Sequence, residues 1–150
     1  MEHFPATLSN VESDLFIDRI ESHFERYGFG LWAVEVPEET PFAGFVGLAV
    51  PSFEAHFTPC VEVGWRLAVK FWGRGYATEA ARAALTFGFG PAGLSEIVSM
   101  TVPENERSRR VMERLGMKHD RTDDFDHPSQ PDHRRHVLYR LLSTDFSLRS

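Results

Sequence analysis

The segment CVEVGWRLAVKFWGRGYATEAARAALTFGF, residues 60–89, joins two incompatible periodicities across a pair of glycines. At its start Val61, Val63, Trp65 and Leu67 alternate with Glu62, Gly64 and Arg66, the period of two expected of a strand with one buried face. Its second half carries Ala77, Ala80, Ala81, Ala83, Ala84, Leu85 and Phe87 and reads as a helix until Gly88, Gly90 and Pro91 break it. A strand that runs through a glycine loop into a helix leaves the first-turn amides without intrahelical acceptors. They point outward with the positive end of the helix dipole. Gly73 and Gly75 keep side chains out of that space, and Arg74 adds a charge beside it, so the junction is a candidate anion site. A tight turn whose glycines serve only the backbone is the other reading of a bare GRG.

The motif belongs to neither of the common phosphate loops. A Walker loop needs glycine, four residues, then glycine-lysine-serine/threonine, and a dinucleotide fingerprint needs a third glycine three residues after the second. Position 78 is threonine.

Around this junction the chain alternates helical and strand patterns. Ser9 and Glu12 form a capping-box pair ahead of Val11, Leu15, Ile20, Phe24 and Tyr27 at near-helical spacing, with Gly28 as the stop. LWAVEV and FAGFVGLAV, joined by PEETP, suit a β-hairpin. EIVSMTV reads as a short buried strand. PENERSRRVMERLGM reads as a helix with Asn105 as cap, Val111, Met112 and Leu115 inward and Gly116 as terminator. RTDDFDHPSQPDHRR reads as a long loop between two late strands, the second being HVLYRLL. The fold class is therefore α/β (α+β), a mixed and mostly antiparallel central sheet flanked by helices, in one domain spanning 1–150.

A chain of 150 residues with a net charge of -6 fits one well-filled core and argues against a general nucleic-acid binder. The single cysteine, Cys60, excludes an internal disulfide. No stretch approaches a membrane span or a secretory signal, so a cytoplasmic protein without membrane partners is expected.

WGRGYATEA, followed some thirty residues later by NERSRRVMERLGM, resembles the GNAT superfamily of acyl-CoA-dependent N-acetyltransferases. The likeness is strongest to the branch of ribosomal-protein N-terminal alanine acetyltransferases, and it runs from about Phe4 to Leu142. The resemblance implies that acetyl-CoA is the cosubstrate and that Trp72, Gly73, Arg74, Gly75, Tyr76, Ala77 and Thr78 form its diphosphate loop. It further implies that the preceding strand splays from its neighbour and pairs with the pantetheine arm through Leu67, Ala68 and Val69, that Asn105 bonds the pantetheine region, and that Ser108 lies near the thioester. Trp72 stands where the superfamily loop usually has glutamine or arginine. Met112 stands where many members have a general-acid tyrosine, which leaves Ser108 as the candidate proton donor. Members of the branch begin with a strand and a helix ahead of the segment matching FPATLS, so this chain is expected to lack both. The next strand would then have an open edge that invites a homodimer.

Acetyl transfer needs a base for the ammonium proton and donors for the developing oxyanion. Glu62 stands opposite Val61, Val63 and Trp65, near the expected splay, and is the candidate base if burial raises its pKa. A carboxylate on a wet strand face, or one paired with Arg66, is the alternative. Glu54 and His56 are secondary candidates acting through water. Phe53 and Phe57 either line the acceptor pocket or cover the core edge, and Asp124, Phe125, Asp126 and His127 either shape the acceptor side or form a solvated loop. Asp123, Asp124, Asp126, His127, His133 and His136 match no tight ligand spacing, so no metal is expected. Cys60 is not expected to be a nucleophile.

The expected function is transfer of acetyl from acetyl-CoA to a primary amine, on a small molecule or a protein N-terminus, by direct attack in a ternary complex. The alternatives are a non-catalytic acyl-CoA-binding or regulatory protein and a phosphate-ligand binder unrelated to CoA.

Overall fold

A computed structural model describes residues 10–146, with side chains from residue 14 onward. Its elements are α1 (Asn10–Tyr27), β1 (Leu31–Val36), β2 (Thr40–Ala49), β3 (Glu62–Leu67), α2 (Tyr76–Phe89), β4 (Glu96–Thr101), α3 (Glu106–Arg114), β5 (Lys118–His119), β6 (Phe125–Asp126) and β7 (Arg135–Leu142). They build the mixed α/β sheet expected, in the order β1-β2-β3-β4-β7-β5 with β6 paired to β7. The neighbours β1/β2, β2/β3, β4/β7 and β5/β7 are antiparallel, and β3/β4 is parallel.

The two faces of the sheet follow from strand parity. Val46 and Leu48 of β2, Val63 and Leu67 of β3, Ile97 of β4 and Tyr139 and Leu141 of β7 share one buried cluster with Ala81, Ala84 and Leu85 of α2 and with Val111, Met112 and Leu115 of α3. Removing a side chain as enclosed as Leu85 would cost about 2–5 kcal/mol. The opposite face carries Phe45, Gly47 and Ala49 of β2, directly across from Arg66, Gly64 and Glu62 of β3. Farther along the same face, Val98 and Leu138 join Phe57 and Phe125 in a second buried cluster.

Helix α1 forms, and its inward side keeps two of the positions its spacing predicted, Ile20 and Phe24, and loses two, Leu15 and Tyr27. Phe16, Ile20 and Phe24 turn toward the protein, whereas Leu15 is 57% exposed and Tyr27 is also exposed. His23 ties that face to the sheet. Its Nε2 accepts the Val50 N–H at 3.0 Å, which leaves Nδ1 as the donor to the Phe29 carbonyl at 2.8 Å. With His23 pinned there, Phe16 meets Phe45 edge-on at 5.3 Å and Phe24 meets Trp32 at 5.6 Å. The Ser9–Glu12 capping pair and the Val11 side chain lie outside the described residues.

Two other expectations change. The loop over 121–135 contains structure of its own, because Phe125 and Asp126 pair with His136 and Arg135 of β7. Strand β3 also ends earlier than the pantetheine assignment required. The Ala68 N–H is taken by the Ala43 carbonyl at 2.9 Å, and Val69–Phe71 turn into a 3-10 helix.

Candidate active site

The parallel pair β3/β4 is held by a single bridge, Glu62 to Val98, and then opens. The Val98 N–H bonds the Val61 carbonyl at 2.9 Å, and one step along, the Ser99 hydroxyl rather than a strand amide reaches the Val63 carbonyl, also at 2.9 Å. Beyond that point the odd-numbered residues of β3 face a gap, because the even-numbered ones bond to β2. Trp65 and Leu67 therefore turn their backbone edges toward an opening in the sheet.

Helix α3 sits at this opening. Asn105 caps it, its Oδ1 accepting the Ser108 N–H at 3.2 Å, and both residues are buried. The Ser108 Oγ in turn accepts the Trp65 indole N–H at 3.2 Å. Acting as acceptor in that bond leaves the hydroxyl hydrogen available for another partner.

On the α2 side of the opening lies a cleft of about 230 Å3, lined by Trp65, Leu67, Trp72, Gly73, Gly75, Tyr76, Ala77, Thr78, Asn105 and Ser108. Gly73 and Gly75 hold φ of +74° and +81°, and Gly75 is the N-cap of α2. A Cβ at either glycine would meet nothing within 4 Å, so the space in front of the α2 amides is open. That geometry suits a diphosphate. The Trp72 indole N–H donates to the Leu67 carbonyl at 2.9 Å, and its ring carries the Arg107 guanidinium 4.4 Å from its centroid. Arg107, Arg110 and Arg114 all line the cleft. Their assignment was missed, although spacing at i, i+3 and i+7 places them on one side of a helix.

Three residues expected here lie elsewhere. The Ala68 amide is used by Ala43, Val69 is 58% exposed, and Arg74 forms an exposed ion pair with Glu39 at 2.8 Å. Trp65 and Leu67, not Ala68 and Val69, border the gap.

On the far side of the opening is a second cavity of about 270 Å3, whose lining includes Phe16, Leu31, Phe45, Gly47, Glu62, Gly64, Arg66, Met100 and Met112. Trp65 and Ser108 line both cavities, so their hydrogen bond marks the passage between them. Burial pushes the Glu62 carboxyl up from 4.5 to about 7, and no described residue pairs with it. Arg66, four residues along the strand, is not its partner. Burial lowers the Arg66 pKa, again with no ion-pair partner among the described residues.

The remaining sequence candidates line neither cavity. Phe53 stacks on Phe125 at 6.1 Å and lies 4.2 Å from the His127 ring, and Phe57 meets Phe125 at 4.8 Å. Glu54 is exposed. His56 contacts Asp123 at 3.2 Å, Asp124 contacts His119 at 2.7 Å, and Asp126 contacts Arg135 at 3.2 Å. The Arg140 guanidinium beside Asp123 holds its carboxyl below the usual range. Among the described residues no three His, Cys, Asp or Glu side chains converge as a metal site, and no helix is long and apolar enough to cross a membrane. Burial and then Glu62 raise the Cys60 thiol to about 11, which keeps it protonated.

Residues 1–118 match the family model for the acetyltransferase (GNAT) domain. Among curated proteins, an uncharacterized protein, YkkB, from Bacillus subtilis (strain 168) is 35% identical over 96 residues, 64% of this chain and 55% of that protein. The FsC-acetyl coenzyme A-N(2)-transacetylase of Aspergillus fumigatus is 40% identical over 96 residues, 61% of this chain and 40% of that protein. The chain thus spans about half the length of the curated relatives it matches. Among solved structures, the ribosomal-protein-S5-alanine acetyltransferase of Vibrio fischeri superposes with a TM-score of 0.72 at 17% identity, over 96% of this chain and 80% of that one, a likeness of fold.

Proposed function

The chain belongs to the GNAT acetyltransferase family, and from that premise we propose that it transfers acetyl from acetyl-CoA to a primary amine, with both held at once. The observation that carries this reading is the opening between β3 and β4, flanked by a cleft fit for a diphosphate and by a cavity holding a buried carboxylate with no partner among the described residues. The two meet at Trp65 and Ser108.

Acetyl-CoA supplies the activated acetyl group as a thioester. The α2 amides at Gly75, Tyr76 and Ala77 hold its diphosphate, with Arg107, Arg110 and Arg114 supplying positive charge from α3. The open strand edge at Trp65, together with the Leu67 N–H, bonds the pantetheine arm as an added strand would, the Leu67 carbonyl being already held by the Trp72 indole. The Trp65 N–H, released from any ladder partner, faces the oxygen on which negative charge develops. Glu62 takes the proton from the incoming ammonium, and a pKa near 7 suits that task at neutral pH. Ser108 gives its hydroxyl hydrogen to the leaving sulfur and takes in its place the second proton that the nitrogen sheds as the amide forms, so the thiolate leaves as a thiol and the serine is restored. Gly64 leaves room for the acceptor, a small amine or a protein N-terminus, whereas Gly47 is glycine because the backbone at Gly30 and Leu31 passes against it.

Acetyl-CoA is expected to raise the melting temperature, and free thiol is expected when a panel of amines and N-terminal peptides is added. Stabilisation with no turnover on any acceptor would overturn transfer while leaving CoA binding intact; no stabilisation would overturn both.

A further inference from the structure

We propose that Arg66 is a specificity residue that selects amine acceptors carrying an anionic group, a carboxylate above all, several bonds from the reacting nitrogen. The proposal rests on the acetyl-transfer reading of this cavity and adds the acceptor's second functional group.

Arg66 stands out for what it lacks. The other partly buried arginines among the described residues are engaged: Arg140 by Asp123 and Glu96, Arg109 by the Pro103 carbonyl and the Tyr139 hydroxyl, and Arg82 by the Arg114 carbonyl. Arg66 is half-buried, lines the acceptor cavity and has no carboxylate or carbonyl partner among the described residues. Partial burial of an unpaired guanidinium is costly, and an anion that offers two oxygens to its planar fork is the natural remedy. A parallel lies across the sheet opening, where Arg107 and Arg110 line the cleft assigned to a diphosphate.

The floor between Arg66 and Glu62 adds the distance requirement. Both residues point to the same face of β3, with Gly64 between them and Gly47 directly opposite Gly64 on β2. A Cβ at Gly64 would meet nothing within 4 Å, so the floor is bare over this stretch. Residues four apart on a strand have Cα atoms about 13 Å apart. Their side chains can lean inward from that span, so a ligand with its amine at Glu62 reaches Arg66 only if its anionic group is several bonds away. The cavity therefore has opposite charges at its two ends and backbone between them, which matches a zwitterion laid along the strand.

The test compares matched acceptors that differ only in that charge: the dipeptide Ala-Ala against Ala-Ala-amide, and 4-aminobutyrate against its amide. With the full chain and acetyl-CoA, the acids are expected to exceed the amides in kcat/KM by about tenfold to hundredfold, the worth of one charge-assisted bidentate contact. In Arg66→Gln the ratio should fall to about one, and in Arg66→Lys it should recover in part, a pattern that a merely structural role would not produce. Calorimetric binding of the same pairs to the CoA-loaded protein gives the ratio a readout independent of turnover. Acid preferred over amide in the native chain but not in Arg66→Gln supports the assignment, even if no acetylation occurs and the transfer reading fails. Equal acid and amide, or a ratio unchanged by Arg66→Gln, overturns it.

Discussion

Over β2 and β3 the face of the sheet that carries Glu62 looks onto a cavity, whereas over β4 and β7 the same face is sealed by Val98, Leu138, Phe57 and Phe125. In the sealed half the charged neighbours are satisfied, Asp123 by Arg140, Asp124 by His119 and Asp126 by Arg135. In the open half Glu62 and Arg66 have no partner among the described residues, and Gly64 stands where a side chain would fill the space. The contrast separates a surface built for stability from one that leaves its polar groups unmet for a ligand. Both halves hold acidic and aromatic residues, so composition alone does not tell them apart.

Substitutions can break the contrast in either half. The largest expected effect is Glu62→Gln, which should lower kcat by about 10²–10⁴-fold, the worth of one general base, while the acetyl-CoA-induced rise in melting temperature is kept. Unchanged turnover would remove Glu62 as the base. In the sealed half Phe125→Ala should cost about 3–5 kcal/mol of stability, read by denaturant unfolding, because it empties a well-packed site. A loss under 1 kcal/mol would mean that this half is not sealed. Gly64→Val fills the open half without meeting a neighbour, so acceptor use should drop by about 100-fold with little loss of stability and no loss of CoA binding.

The halves should also respond to pH with opposite sign. Burial raises the folded pKa of Glu62 to about 7 from 4.5, so its contribution to stability is complete below about pH 4.5 and is lost as pH rises through 7. Glu62→Gln should therefore stabilise the protein at pH 8 by up to about 3 kcal/mol and not at pH 4. In the sealed half burial, with His136 alongside, lowers the folded pKa of His127 below 6.5. Its contribution is present above about pH 6.5 and is lost as pH falls below that, so His127→Phe should flatten the acid side of the stability curve. An unaltered acid slope in that variant would show that the cluster tolerates the proton.

The strand, loop and helix around Gly75 were legible because each signal there is local: alternation over six residues, two glycines, then alanines. Asn105 was legible for the same reason, since a cap bonds the amide three residues on. The division of the Glu62 face was not, because it depends on which distant segment crosses that face. Phe53, Phe57 and Phe125 resemble pocket-lining residues in sequence, and only the pairing of β6 with β7 carries Phe125 onto the filled half. The place of Ala68 and Val69 was not legible, because β3 gives way to a 3-10 turn over a short distance and no residue in that stretch announces the change. Arg66 was considered as the partner of Glu62, and its separate place at the other end of the floor follows from strand parity once the cavity is known.

The most direct test of the account is the pH dependence of kcat/KM on a turned-over amine, in the native chain and in Glu62→Gln. The native profile should rise through an apparent pKa near 7 that stays put when the acceptor is exchanged for an amine of different basicity, and that limb should vanish in Glu62→Gln. A limb that persists in Glu62→Gln, or that moves with the acceptor's own pKa, would contradict the role of Glu62 and with it the assignment of the open half as the site of acetyl transfer.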